Sequence, residues 1–272
     1  MDPSILQSNY NEINNNESYM DLIKEIELLE EFIEHLGFLE FGRDYILCQK
    51  YTFSLYNILT SVELTIGNII SCCKNGCVSD ANILLRKYRD DLFFYLYLVV
   101  YDNKYKSGKD VVKMQSDIIK WIENDLSNLH ISQVLKTIGK FEVLNEPIKK
   151  FKMQKKLTDI GKRLNDYAHS NGYNFYNYNI NAYKENELLE KLGMIVFDLK
   201  YITISFVFLT TLCSPVFIMS TDYIDYLDGN ETPPEGTQYL VAPFILSFIK
   251  ENIGLIDDNC YEYFKLNTCM EI

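Results

Sequence analysis

Residues 201–220 run without a single charge, and no other segment restricts the possible folds so strongly. A stretch of about twenty uncharged residues has to be covered, by lipid or by the rest of a protein core, and this length is what a membrane span needs. The segment carries six Ser or Thr residues and Pro215, is followed by acidic sequence, and has only Lys200 beside it as a basic anchor. Those features argue for a buried core helix, with a membrane span as the alternative. Enclosing such a helix takes several others. With 12 glycines and 6 prolines in 272 residues, the chain has fewer turn-formers than a β-sandwich or a Gly-rich nucleotide-binding fold requires. The expected class is all-α, a multi-helix bundle.

Apolar spacing supports that class element by element. Ser18 with Asp21 reads as a helix start, Leu22, Ile26, Leu29, Ile33 and Leu36 recur at helical spacing, and Gly37 reads as the stop. Residues 43–75 continue without proline up to Gly76, which predicts one long helix, or two in line with a break near Gly67. Ser79 and Asp80 open the next helix, 81–105, apolar round most of its circumference from Leu92 to Tyr101 and therefore central. Shorter helices are predicted over 110–126 and 127–140. Pro147 is placed in the first turn of a helix reaching His169. Residues 173–183 alternate Asn with aromatics and read as an ordered loop. A long apolar helix over 185–213 is broken by Pro215; an acidic helix ends at Gly229, and two more cover 238–252 and 257–266. The expected organisation is a polar, flexible tail over 1–17 and one helical domain over 18–272.

The 38 acidic against 26 basic side chains give a net charge of -12, which excludes a protein that coats nucleic acid over its whole surface and leaves only a local basic patch. The seven cysteines, with no secretory leader visible ahead of them, point to a reducing cytoplasm rather than a disulfide framework. Cys72, Cys73 and Cys77 lack the paired spacing of a zinc site and read as small buried apolar residues. Asp222, Asp225 and Asp228 do not have calcium-loop spacing and read as a solvated acidic face. No metal or cofactor is expected, and no dinucleotide, P-loop, hydrolase-elbow or zincin motif occurs.

Chemistry concentrates on the predicted helix from Pro147 to His169. Lys149, Lys150, Lys152, Lys155, Lys156, Lys162 and Arg163 make a positive stripe suited to phosphates, or else a solvated face offsetting neighbouring acids. At its end, Arg163 and His169 are the two groups that metal-free RNA cleavage needs. An imidazole moves protons near neutrality, and a guanidinium stabilises charge on a phosphate. Asn165 and Asp166 precede His169 by four and three residues and share its face, where they can orient the ring. The bland alternative makes His169 a helix cap and pairs Arg163 with Asp159. Arg86 and Asp90 stand at i, i+4 in the apolar helix, flanked by Arg89 and Asp91. They should pair with each other or line a cavity, with a supporting role at the site as the further option. Tyr173 and Tyr176 offer faces for stacking bases, or simply plug a bundle end.

Arg163-x5-His169 closing a helix resembles the R-x(4-6)-H signature of the HEPN superfamily. The run from Leu84 to Leu92, followed by aromatics, and the run from Leu164 to Asn171 are similar to those of uncharacterised bacterial HEPN-like proteins. The resemblance spans roughly residues 81–172, with a HEPN-like part placed at about 43–172 and additional C-terminal helices at about 184–272. It implies a metal-independent endoribonuclease of toxin or antiphage-defence type, completed by homodimerisation and leaving a 2',3'-cyclic phosphate. An antitoxin or sensor protein would be a further partner. On that expectation Arg163, His169, Asn165 and Asp166 are catalytic, Lys155, Lys156, Lys162, Tyr173 and Tyr176 bind RNA, and a membrane is not a partner. Leu164 follows Arg163 where active members carry a polar residue, and many members keep the bundle without nuclease activity. The alternative is therefore a noncatalytic HEPN-like interaction or scaffold protein.

Overall fold

In the computed structural model, residues 7, 10, 11, 13, 15–41, 45–123, 131–168 and 185–272 are described. They are all-α. Eleven α-helices account for most of them, beside a single two-stranded hairpin.

The first helix, α1 (Glu17–Glu40), is capped two residues earlier than predicted. The Asn16 side-chain carbonyl accepts from the Tyr19 amide at 3.0 Å, leaving Ser18 inside the first turn. Nor does Gly37 stop it. The helix continues because Leu39 is buried beyond the glycine, and burying that side chain offsets the roughly 1 kcal/mol by which an internal glycine disfavours a helix.

The continuous helix predicted over 43–75 is a second correction. Its first part is a hairpin, β1 (Ile46–Cys48) and β2 (Tyr51–Phe53), antiparallel with Leu47 opposite Thr52. Ile46 and Cys48 face inward and Leu47 outward, and Gln49 adopts a φ of 52° at the turn. Glu123 clamps the turn by accepting from Tyr51 Oη at 2.9 Å and pairing with Lys50 at 3.0 Å. The helix α2 (Leu55–Lys74) then runs through Gly67 unbroken. It ends as read, at Gly76, whose φ of 70° only glycine adopts freely. The Cys77 amide donates to the Cys72 carbonyl at 2.8 Å and the Gly76 amide to Cys73 at 3.0 Å, a Schellman closure.

Next comes α3 (Val78–Lys106), and its residues 95–101 are all buried, as the apolar circumference predicts. Three shorter helices follow, α4 (Val112–Ile122), α5 (Ile131–Ile138) and α6 (Glu142–Lys150). Pro147 lies inside α6 rather than opening a helix. The chain breaks at Phe151 and Lys152, the latter with φ 51°, before α7 (Met153–Ala168). Phe151 drives the break: it is buried, with its ring 5.4 Å from Tyr263 and 6.1 Å from Phe208. The predicted basic stripe therefore falls on two helices and a turn. The long apolar helix is α8 (Glu185–Cys213), followed by a 3-10 turn at Pro215–Ile218, α9 (Thr221–Asp228), α10 (Pro243–Asn252) and α11 (Cys260–Asn267). The most apolar 18-residue window of α8 is 78% buried within the protein.

The chain divides into two compact units. One comprises Met1–Leu36, Leu59–Asp91 and Lys155–Ile202, the other Gly37–Ile58, Leu92–Gln154 and Thr203–Ile272. Both α3 and α8 contribute to each.

In the first unit, Tyr19 is buried and donates its hydroxyl to the Cys73 carbonyl at 2.9 Å, fastening α1 to the end of α2. In the second, the α8 segment supplies Phe206 and Phe208 to an aromatic cluster. Phe206 meets Tyr95 and Phe217 edge-on at 5.1 and 5.6 Å, and Phe208 meets Phe264 at 5.1 Å.

Candidate functional site

Three stretches of the first unit, residues 78–91 of α3, 155–168 of α7 and 185–202 of α8, carry the charged groups flagged by the sequence. Arg163 is the centre. Its Nη2 donates to both carboxylate oxygens of Asp198, at 2.6 Å to Oδ1. Asp198 is 1% exposed, whereas a third of the Arg163 side chain, 34%, reaches solvent. The partner is thus Asp198 on α8, and the predicted pairing of Arg163 with Asp159 is replaced. Asp159 instead lies 3.8 Å from Lys162. Helical phase explains the choice: Leu157, Ile160, Leu164 and Tyr167 bury the inner face of α7, and Arg163 at its border reaches the one acid on a neighbouring apolar turn.

Burial pushes the Asp198 carboxyl above its ordinary range, while Arg163 and Lys156 pull it partly back. Lys156, one turn away from Ile160 and two from Arg163, is exposed. Its ammonium lies over the rings of Phe197 at 4.8 Å and Tyr201 at 5.7 Å. Around Asp198 there are accordingly two cations for one carboxylate. Lys155 and Lys162 are exposed on the same helix, and Asn165 and Asp166 are half-buried. His169, Tyr173 and Tyr176 lie outside the described residues.

On α3 the expected pairing among Arg86, Arg89, Asp90 and Asp91 is made by Arg89 and Asp90 rather than at i, i+4. Asp90 accepts from its neighbour Arg89 instead, at 2.9 Å from Nε and 2.6 Å from Nη2. Arg89 is 2% exposed, and a buried guanidinium requires a nearby carboxylate. Burial raises the Asp90 carboxyl, opposed first by Arg89 and then by Arg86. Asp91 pairs with Lys87, which also donates to Ser61 and Thr65 at 3.1 Å each.

Arg89 also explains a glycine. A Cβ on Gly161 of α7 would collide with Arg89 Nη1, so the absence of a side chain at Gly161 makes room for the guanidinium. Arg89 is enclosed and doubly bonded to Asp90, and it cannot swing clear. Gly161→Ala should therefore destabilise the protein by about 2 kcal/mol, despite alanine's better helix propensity. Gly67→Ala is the matched control. There the obstructing atom is Glu30 Oε1, on a half-buried side chain that can rotate outward, and no loss is expected. Urea midpoints of the two variants measured together check the contrast.

Among the described residues no group of three or more His, Cys, Asp and Glu is arranged to hold a metal. Cys73 is buried and its thiol is pushed up by that burial, while Cys72 and Cys77 are half-buried. Asp222, Asp225 and Asp228 lie on the exposed side of α9.

Sequence reasoning missed Asp198 and Gly161. Asp198 had a signal, a lone acid between Phe197 and Leu199 in a run of apolar residues. A charge there needs a partner on another element. Gly161 had none, because its role depends on which helix lies opposite. No family model, curated protein or solved structure matches the chain.

Proposed function

We propose that the chain is a metal-independent endoribonuclease of toxin or antiphage-defence type, with Arg163 as the group that binds the scissile phosphate. One observation supports this reading. Arg163 is held by a buried carboxylate yet keeps a third of its side chain in solvent, so the guanidinium is oriented before any ligand arrives and retains N–H donors that Asp198 does not use. In the proposed reaction His169 takes the proton of a ribose 2'-hydroxyl, the 2'-oxygen attacks the adjacent phosphorus, and the 5'-oxygen leaves with a proton, giving a 2',3'-cyclic phosphate. Arg163 stabilises the phosphorane charge, Asn165 and Asp166 orient the imidazole, and Lys155, Lys156 and Lys162 hold the RNA backbone. Pairing of Arg163 and His169 across a homodimer would complete the site.

The same ion pair also favours a second reading. Asp198 already neutralises Arg163, which accounts for the arginine in a noncatalytic interaction protein.

Incubating a mixed RNA pool with purified protein in excess EDTA at low salt separates the two. The nuclease reading expects cleavage with cyclic-phosphate ends by the parent, its loss in His169→Ala, and unchanged helicity of that variant. Equal cleavage by His169→Ala would remove the histidine from the mechanism. No cleavage by either protein would leave the noncatalytic reading.

A further inference from the structure

Two half-buried cysteines stand on either side of the glycine turn that ends α2, and the backbone there limits their separation. The Cys77 amide donates to the Cys72 carbonyl at 2.8 Å. Standard bond lengths on either side of that hydrogen bond hold the two Cα atoms no more than about 6.7 Å apart. A disulfide spans roughly 4.4–6.8 Å between Cα atoms, so the turn keeps the pair within bonding reach.

The two side chains also share a space. In a Schellman closure the residues at these two positions come into side-chain contact. Cys72 and Cys77 both border one cavity of the first unit, about 740 Å³ in volume, together with Tyr10, Asn75 and Asp80. A cavity of that size admits a small organic molecule. Cys73, between them in sequence, is fully buried and does not border it.

We propose that Cys72 and Cys77 form a reversible disulfide across the end of α2, with a low-molecular-weight disulfide such as oxidised glutathione as the oxidant. One cysteine, as its thiolate, attacks the glutathione disulfide, breaks its S–S bond and releases one glutathione thiolate. The second cysteine attacks the protein sulfur of the resulting mixed disulfide and releases the other. Two protein thiols are oxidised, one glutathione disulfide is reduced, and the two cysteine protons pass through water to the released thiolates. Burial, and after it the Asp80 carboxylate, raises both protein thiols above their ordinary range. The pair is therefore slow to attack, and it lacks the thiolate stabilisation that would hold it reduced.

Trypsin cuts after Lys74, between the two cysteines, so a Cys72–Cys77 bond joins peptide 51–74 to peptide 75–86. The folded full chain is treated with excess oxidised glutathione, its remaining thiols are alkylated, and the digest is read by mass spectrometry. The parent should give the linked peptides, separable by dithiothreitol, while the exposed Cys269 carries glutathione as an internal control. Cys72→Ser should abolish the link and leave glutathione on Cys77, Cys77→Ser should leave it on Cys72, and Cys73→Ala should keep the link. A parent in which Cys72 and Cys77 are recovered alkylated or still carrying glutathione would overturn the proposal. So would a link that survives in Cys72→Ser, which would put Cys73 in the bond.

Discussion

Arg163→Ala is expected to lower the unfolding free energy by about 3 kcal/mol, which in a chain of this size is a fall of roughly 6–12 °C in melting temperature. The reason is the carboxylate left behind. Asp198 is 1% exposed, and without Nη2 of Arg163 it is a buried charge with only the more distant Lys156 to offset it. Asp198→Ala should cost less, because the freed guanidinium is already a third in solvent and can complete its hydration there. The pair is therefore asymmetric: breaking it from the arginine side is the more damaging change. The two single variants and the double variant form a thermodynamic cycle that isolates the coupling between the residues.

The pH dependence carries a definite sign. The folded carboxyl of Asp198 titrates above its unfolded range because it is buried, so the native state binds more protons than the unfolded state in that interval. Stability contributed by this group is present below the unfolded value, about pH 4, and is lost as pH rises through the folded one. Removing Arg163 moves the folded value further up. The deficit of Arg163→Ala relative to the parent should thus be small near pH 4 and fully developed at neutral pH. A deficit that stayed constant with pH would show that lost packing, rather than the buried charge, accounts for the change.

Phe206→Ala is expected to be as severe, at about 3–5 kcal/mol. Phe206 is 0% exposed in the second unit and packs edge-on against Tyr95 and Phe217, which themselves meet at 5.8 Å. Truncation opens a void in the middle of this three-ring cluster and removes two aromatic pairs, each worth roughly 0.5–1.5 kcal/mol beyond the area buried. Collapse around the void is restricted because all three rings sit on helices or a 3-10 turn. This variant also tests how the apolar stretch of α8 is covered. A helix buried in protein loses stability when Phe206 is shortened. One lying in lipid would tolerate the change, and the protein would sediment with membranes before and after it. Thermal melts together with fractionation of the expressed chain distinguish the two outcomes.

The elements read correctly from sequence share one property. Along α3 and α8 the apolar residues extend through many turns, and Gly76 and Pro215 end α2 and α8 through backbone restrictions intrinsic to those residues. Short segments were misread for a matching reason. Ile46, Leu47 and Cys48 alternate over only three residues, too few for a period of two to stand apart from a helical spacing of the same apolar residues. Gly37 and Pro147 carry strong local preferences against a helix interior. The burial of Leu39 overrides the first, and α6 extends through the second.

Around the candidate site, the residue types were legible and their partners were not. Composition and periodicity marked Arg163, Lys155, Lys156 and Lys162 as a basic group on one helix, and marked the charges in the apolar α3 as needing compensation. They did not reveal that Arg163 would be held by Asp198, 35 residues along the chain, or that Arg89 would take Asp90 beside it in preference to an i, i+4 partner. They gave no sign that Gly161 makes way for Arg89. By itself the sequence determined the helical class, the longest helices and the chemical character of their faces, because those depend on local backbone preference and on the spacing of apolar residues. Tertiary structure alone decided which charges meet, because a buried charge is compensated by whichever opposite charge the packing brings within a few ångströms, and that distance is not written in sequence separation.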